Sequence, residues 1–133
     1  MWNSAMAWVC GLGLLPEILV TLLVKGRRSG TLRANVLVAA RYEGQRYVVS
    51  MLGEGSDWVQ NVRAAGGAAF IKHGRTQRVT LTEIRPDKRA PILKAFCEVA
   101  ASGRKHFPVS PEAPVSAFES IATEYPVFRI DPA

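Results

Sequence analysis

Cysteine and histidine are scarce in this sequence, two of each, and none stands near another. Cys10 and Cys97 have no C-x-x-C pair and no Cys/His spacing around them, so metal ligation and a dithiol redox pair lack support. A reduced, cytoplasmic protein is the expectation. Aromatic residues make up only 8% of the chain, and the arginines are not interleaved with stacking rings, which argues against nucleic acid as partner. Walker loops, nucleophile elbows and dinucleotide glycine fingerprints are also missing. With no nucleophile, base pair or metal set, any catalysis belongs to a borrowed cofactor.

Charge is nearly absent from the first 24 residues, where Glu17 stands alone. This stretch has no basic segment ahead of its apolar run and is interrupted by Gly11, Gly13 and Pro16. Those features argue against a signal peptide and a membrane span. The pattern predicts a helix over 1–16 and a strand over 17–24 buried on both faces. Trp2 and Trp8, close to a basic turn, leave peripheral membrane contact through the N-terminus open.

What is abundant is positive charge. The net charge is +6 and the pI about 9.8, so the average field attracts phosphates, carboxylates or anionic lipid. A chain of 133 residues that is 48% hydrophobic is expected to be one domain, 1–133.

Residues 32–51 read as two β segments turning at Glu43-Gly44. Ser56 or Asp57 opens a helix with Trp58, Val62 and Ala65 on one face, and Gly66-Gly67 stops it. A second hairpin turns near Gly74, with Val79 and Leu81 sharing a face. Ile92, Leu93, Phe96, Val99 and Ala100 have helical spacing and run to Ser102-Gly103. Ser116-x-x-Glu119 has the form of a capping box, and "YPVFRI" supplies the last strand. About six short antiparallel strands with flanking helices predict an α+β fold built on a small barrel, since closure removes exposed edges.

Two segments carry candidate chemistry. "KGRRSG", residues 25–30, offers Arg27 and Arg28 as planar cationic forks, Ser29 as a hydroxyl donor and Gly30 for close backbone approach. "GEGSDWVQN" opens a helix whose first amides are ready donors for an anion. A solvated basic turn remains the alternative for the first segment. His73 beside a hairpin turn reads as structural, while His106 in a basic loop is the one histidine with a catalytic prospect.

"GRRSG", "LRANVLV", "RYVVSMLGEGSDWVQNVRAAGG" and "YPVFRI", in this order, resemble the deazaflavin-dependent nitroreductase family of actinobacterial split β-barrel flavin/deazaflavin oxidoreductases. The resemblance spans residues 20–130. It implies a split β-barrel that binds coenzyme F-420, with flavin mononucleotide as the less favoured cofactor. It also implies that Arg27, Arg28, Ser29 and Gly30 contact the coenzyme's phosphate and glutamyl tail. Arg33, Asn35, Val36, Leu37 and Val38 would lie along the ring system and linker. Ser50, Met51, Leu52 and Gly53 would add backbone contacts, and Asp57, Trp58 and Asn61 would sit at the helix start.

Nitro-reducing members tend to carry a small hydroxyl residue and a lysine where Leu52 and Gly53 stand, and several C-terminal tyrosines where only Tyr125 stands. The implied activity is therefore hydride transfer to a small or hydrophobic acceptor, a quinone, enone or nitro compound, by a monomer or homodimer. A non-catalytic deazaflavin or flavin carrier is the alternative.

Overall fold

The computed structural model describes residues 19–99 and 108–133. The expected helix over 1–16, the contacts of Trp2 and Trp8, the 102–103 helix stop and the candidate His106 lie outside the described residues.

Strand-forming runs dominate the first half, and each meets its partner across a glycine turn. Strands β1 (Leu19–Lys25), β2 (Leu32–Tyr42), β3 (Gln45–Val49), β4 (Ala68–His73), β5 (Arg75–Glu83) and β6 (Val127–Pro132) form a closed antiparallel barrel in the order β1-β2-β3-β6-β5-β4. Closure falls where Thr21, Leu22 and Leu23 of β1 face Lys72, Ile71 and Phe70 of β4. Three short helices, α1 (Asp57–Ala64), α2 (Ala90–Val99) and α3 (Val115–Glu119), complete an α+β split barrel.

The β2–β3 turn is the one expected, with Glu43 at φ 50° and Gly44 at φ 79°. Two successive left-handed residues give the tight twist-matched hairpin. Gly74, at φ 84°, turns β4 into β5.

Two cores share the barrel wall. The inner one fills the barrel with Val20, Leu22, Val24, Val48, Ile71, Val79 and Phe128, and α1 lends it Trp58, Val59 and Val62. The outer one lies between the far side of β2 and β3 and the other helices, with Val38, Ala40, Val49, Leu93, Phe96, Phe118 and Val127 at its centre. The wall residues alternate between the two because successive strand side chains point to opposite faces.

Burial of β1 departs from the expectation of two covered faces. Val20, Leu22 and Val24 are buried inside, but Leu19 is 58% exposed and Leu23 only half-buried. The helices of the outer core pack on β2 and β3, so nothing described covers the outer face of β1. Its unbroken apolar run conceals an ordinary in-out alternation.

Two helix details differ as well. Along α2, Cys97 is buried and Val99 is 40% exposed, so the apolar face rotates away from the helix end. Pro114 stands at the N-cap of α3 and Ser116 lies inside the helix, so Ser116-x-x-Glu119 is not a capping box. Proline without an N–H fits just ahead of the first turn, and the helix starts two residues too early for the box.

Ion pairs hold the outside together. Arg63 of α1 donates to Glu83 at 3.0 and 2.6 Å and to Glu54 at 2.9 Å. The buried Arg89, just before α2, donates to Glu83 at 3.1 Å and to the Ile84 and Ala122 carbonyls at 2.7 and 3.0 Å. The hydrogen bond from Arg63 holds the Glu54 carboxyl below its ordinary value. A depressed folded-state value means that Glu54 adds stability above about pH 4.5, its unfolded value, and loses it as pH falls through the folded one. In Glu54→Gln, the melting temperature is expected to fall modestly at pH 7 and to converge on that of the parent in acid below that point, so that the acid limb of its pH profile is shallower.

Gly67 ends α1 at φ 89°, and a Cβ there would stand 2.6 Å from the Leu81 carbonyl oxygen. Gly44 has the same handedness with open space around it. Urea denaturation is expected to show Gly44→Ala costing about 1–2 kcal/mol, the left-handed strain alone. Gly67→Ala is expected to cost clearly more, because backbone must also shift.

Candidate functional site

The 26–30 turn is tight because backbone folds back on itself. Gly26 N donates to the Thr31 carbonyl at 2.8 Å, and Gly30 N donates to the Gly26 carbonyl at 2.9 Å. Gly30 takes φ 76°. A Cβ at Gly26 would stand 2.7 Å from Ser29 Oγ, so a side chain there would require that hydroxyl to turn away. Ser29 Oγ lies 2.9 Å from Thr31 Oγ1 and accepts from Thr31 N at 3.3 Å.

Asn61 of α1 fastens this turn to the helix. Its side chain is almost fully buried, and its Oδ1 accepts from Arg27 N at 3.0 Å and from Arg27 Nη1 at 2.7 Å. Arg27 also approaches Asp57 Oδ1 at 3.4 Å. Arg27 is thus a strut between turn and helix. Arg28 is exposed and forms no ion pair with the described residues.

The helix start is open. Ser56 occupies the N-cap of α1 but makes no side-chain cap bond; its Oγ lies 2.9 Å from Ser50 Oγ. First-turn amides without a side-chain cap are donors for water or an anion. One turn on, Trp58 packs inward, its ring 5.5 Å from that of Phe128.

Between turn and helix lies a groove of about 400 Å³. Arg27, Arg28, Ser29, Arg33, Asn35, Asp57, Trp58 and Asn61 line it, joined by Gly26, Leu32 and Ala34. On its β2 side, residues 39–42 pair with β3 while residues 32–38 pair only with β1. That free edge is the split in the barrel, and it offers unpaired backbone groups to the groove. Asp57 is the one carboxylate among the described residues that line the groove.

Other expected positions are not brought here. Gly30 faces a neighbouring hollow of about 840 Å³. Val36 points outward, Leu37 packs toward the inner core and Val38 is buried in the outer core. Ser50 is buried and donates to the Gly53 carbonyl at 2.7 Å. Met51 packs on the outer core and Leu52 is 74% exposed. Gly53 takes φ 93° and donates to the Ser50 carbonyl. None of residues 50–53 lines the groove.

Gly26 and Ala34 fall within the turn and strand that the resemblance implied, whereas Leu32 escaped sequence reasoning. The missing signal was the free edge of β2, which no local pattern marks. Among the described residues no group of three His, Cys, Asp or Glu side chains is placed to hold a metal, and no helix is long and apolar enough to cross a membrane.

A closed six-strand barrel, split along β2 and holding a cationic groove against a helix start, defines the split β-barrel class. Within that class, the model of a family described as F420H(2)-dependent quinone reductase matches residues 8–116, and the chain belongs to that family. It is accordingly an F420-dependent oxidoreductase. No curated protein matches the chain.

Solved structures agree on the fold. A structure described as a domain-swapped dimer is 17% identical, with a TM-score of 0.60 over 98% of this chain and 97% of that one. An F420-H2 dependent reductase is 17% identical, at 0.56 over 86% and 95%. A NimC/NimA family protein from Clostridium acetobutylicum is 14% identical, at 0.59 over 93% and 81%.

The two arginines of the turn are expected to separate in thermal and urea melts. Asn61→Ala leaves the Arg27 donors without their buried acceptor and costs about 1–3 kcal/mol. Arg28→Ala, at an exposed and unpaired site, stays within about 0.5 kcal/mol of the parent.

Proposed function

We propose that the groove between the 26–30 turn and α1 holds the phosphate and tail region of reduced coenzyme F-420, with the free edge of β2 beside its ring, for two-electron reduction of an apolar acceptor such as a quinone. The observation that carries this reading is Arg28, a guanidinium with no ion pair among the described residues, facing the same groove as the uncapped start of α1. The donor set fits an anionic, phosphate-bearing ligand. When bound, the coenzyme supplies the electrons as hydride from its ring.

The chain's own residues do the positioning. Arg28 and Arg33 bring permanent positive charge, Ser29 a hydroxyl and the first turn of α1 its amides. Arg27 and Asn61 keep turn and helix at fixed separation, which preserves the orientation that makes a bimolecular step effectively unimolecular. Buried Trp58 carries the helix start on the inner core. Proton delivery to the reduced acceptor is assigned to water. Nitro compounds and enones belong to the same electrophilic class as quinones, and the cytoplasm is the proposed setting.

Fluorescence titration with F-420, flavin mononucleotide and flavin adenine dinucleotide tests the cofactor assignment. Arg28→Ala is expected to weaken F-420 binding by about 10- to 100-fold, the scale of one lost charge-assisted hydrogen bond, and Asp57→Asn is expected to leave it equal or tighter. A folded Arg28→Ala protein with parental affinity returns this residue to the role of solvated turn. Single-turnover oxidation of bound reduced coenzyme by menadione or a nitroaromatic separates enzyme from carrier. If neither acceptor exceeds the protein-free rate, the carrier reading replaces this one.

A further inference from the structure

Ser29 is the one hydroxyl residue of the 26–30 turn, and Lys25, Arg27 and Arg28 stand just ahead of it in the chain. It is exposed, as is every residue from 25 to 30 except Gly26. Its Oγ lies 2.9 Å from Thr31 Oγ1, but the two hydroxyl residues are placed differently. Ser29 lines both the groove against α1 and the neighbouring hollow, whereas Thr31 lines neither.

Arg33 comes back to the same spot from β2. Ser29 Oγ and Arg33 Nε stand 2.7 and 3.4 Å from the place a Cβ would take at Gly26, so hydroxyl and guanidinium flank one small space that glycine leaves open. Among the described residues Arg28 and Arg33 make no ion pair or side-chain hydrogen bond. Asp57, the one carboxylate among the described lining residues, is turned to Arg27 at 3.4 Å.

We propose that Ser29 is a phosphorylation site for an arginine-directed serine/threonine kinase, and that the phosphoserine turns onto Arg33 and Arg28 and fills the anion groove. The modification stands on the turn itself, and its effect on the coenzyme rests on the reading under Proposed function. In the transfer, Ser29 Oγ bonds to the γ-phosphorus of a nucleoside triphosphate as the bond from that phosphorus to the bridging oxygen breaks. Nucleoside diphosphate leaves, and the hydroxyl proton passes to a base of the kinase. The product adds nearly two negative charges and three acceptor oxygens beside two guanidinium groups. Opening the turn for the kinase breaks the backbone bonds from Gly26 N to Thr31 and from Gly30 N to Gly26. It uncovers no core side chain, so the opening is local. The donors that would hold a coenzyme phosphate then hold a phosphate of the chain's own, and the two exclude one another.

Three measurements test this. The folded 133-residue chain is incubated with an arginine-directed kinase catalytic domain and magnesium ATP, and peptide mass spectrometry is expected to find a single phosphate, on Ser29, that Ser29→Ala abolishes. No phosphate on the chain, or phosphate that Ser29→Ala leaves in place, overturns the site. Phosphoserine installed at position 29 by an expanded genetic code is then titrated by phosphorus NMR. Its second ionisation is expected below the ordinary value of about 6, with the shift lost on Arg33→Ala. An ordinary value in the parent background overturns the contact with the arginines, whether or not coenzyme binds. Last, F-420 affinity is expected to fall at least about tenfold with phosphoserine at position 29, and clearly less with Thr31→phosphoserine, which carries the same charge outside both hollows. Equal losses at the two positions, or parental affinity with position 29 modified, overturn the exclusion. A parent chain that binds no F-420 overturns the coenzyme reading instead, and the NMR titration still decides whether the phosphoserine occupies the groove.

Discussion

One buried amide oxygen sets the separation of the two halves of the site. Asn61 Oδ1 accepts both the backbone and the guanidinium of Arg27, and through it the 26–30 turn is fixed to α1. Without that link the turn would be a glycine-rich excursion between two strands, and the groove would have one wall. The link is robust because both partners are anchored elsewhere. Asn61 rides on a helix whose Trp58, Val59 and Val62 fill the barrel end, and Gly26 and Gly30 clamp the turn by their own backbone bonds.

That arrangement explains a division of labour between adjacent identical residues. Arg27 is engaged by Asn61 and Asp57, whereas Arg28 forms no ion pair with the described residues, although both are arginines in one turn. An arginine with a buried acceptor gives up little ligand affinity by serving as a strut, because its charge still contributes to the local field. The carboxylates needed for compensation are kept away from the groove apart from Asp57, and Glu54 and Glu83 are engaged by Arg63 and Arg89 on the far side of α1. Concentrating unpaired cations on one side costs self-repulsion. It also concentrates the positive field of the protein on that side.

Much of the fold was legible because its signals are local. Glu43-Gly44 and Gly74 announce hairpins, Gly66-Gly67 stops α1, and Val79 and Leu81 share the buried face of β5 as their spacing requires. The resemblance carried by "GRRSG" and "GEGSDWVQN" led to the family and its coenzyme. Failures came where a residue's role hangs on a distant element. The capping-box pattern at Ser116 lost to Pro114, and the strand over β1 was read as covered on both faces when, among the described residues, only its inner face is.

Sequence alone therefore determined the strands, the turns, the basic character of the 26–30 segment and the family. Tertiary structure decided which arginine is free, which part of β2 stays unpaired and why residues 50–53 stand away from the groove. The reason is physical. Period and glycine placement state which side chains share a face, but coverage of that face depends on where helices from the other half of the chain come to pack.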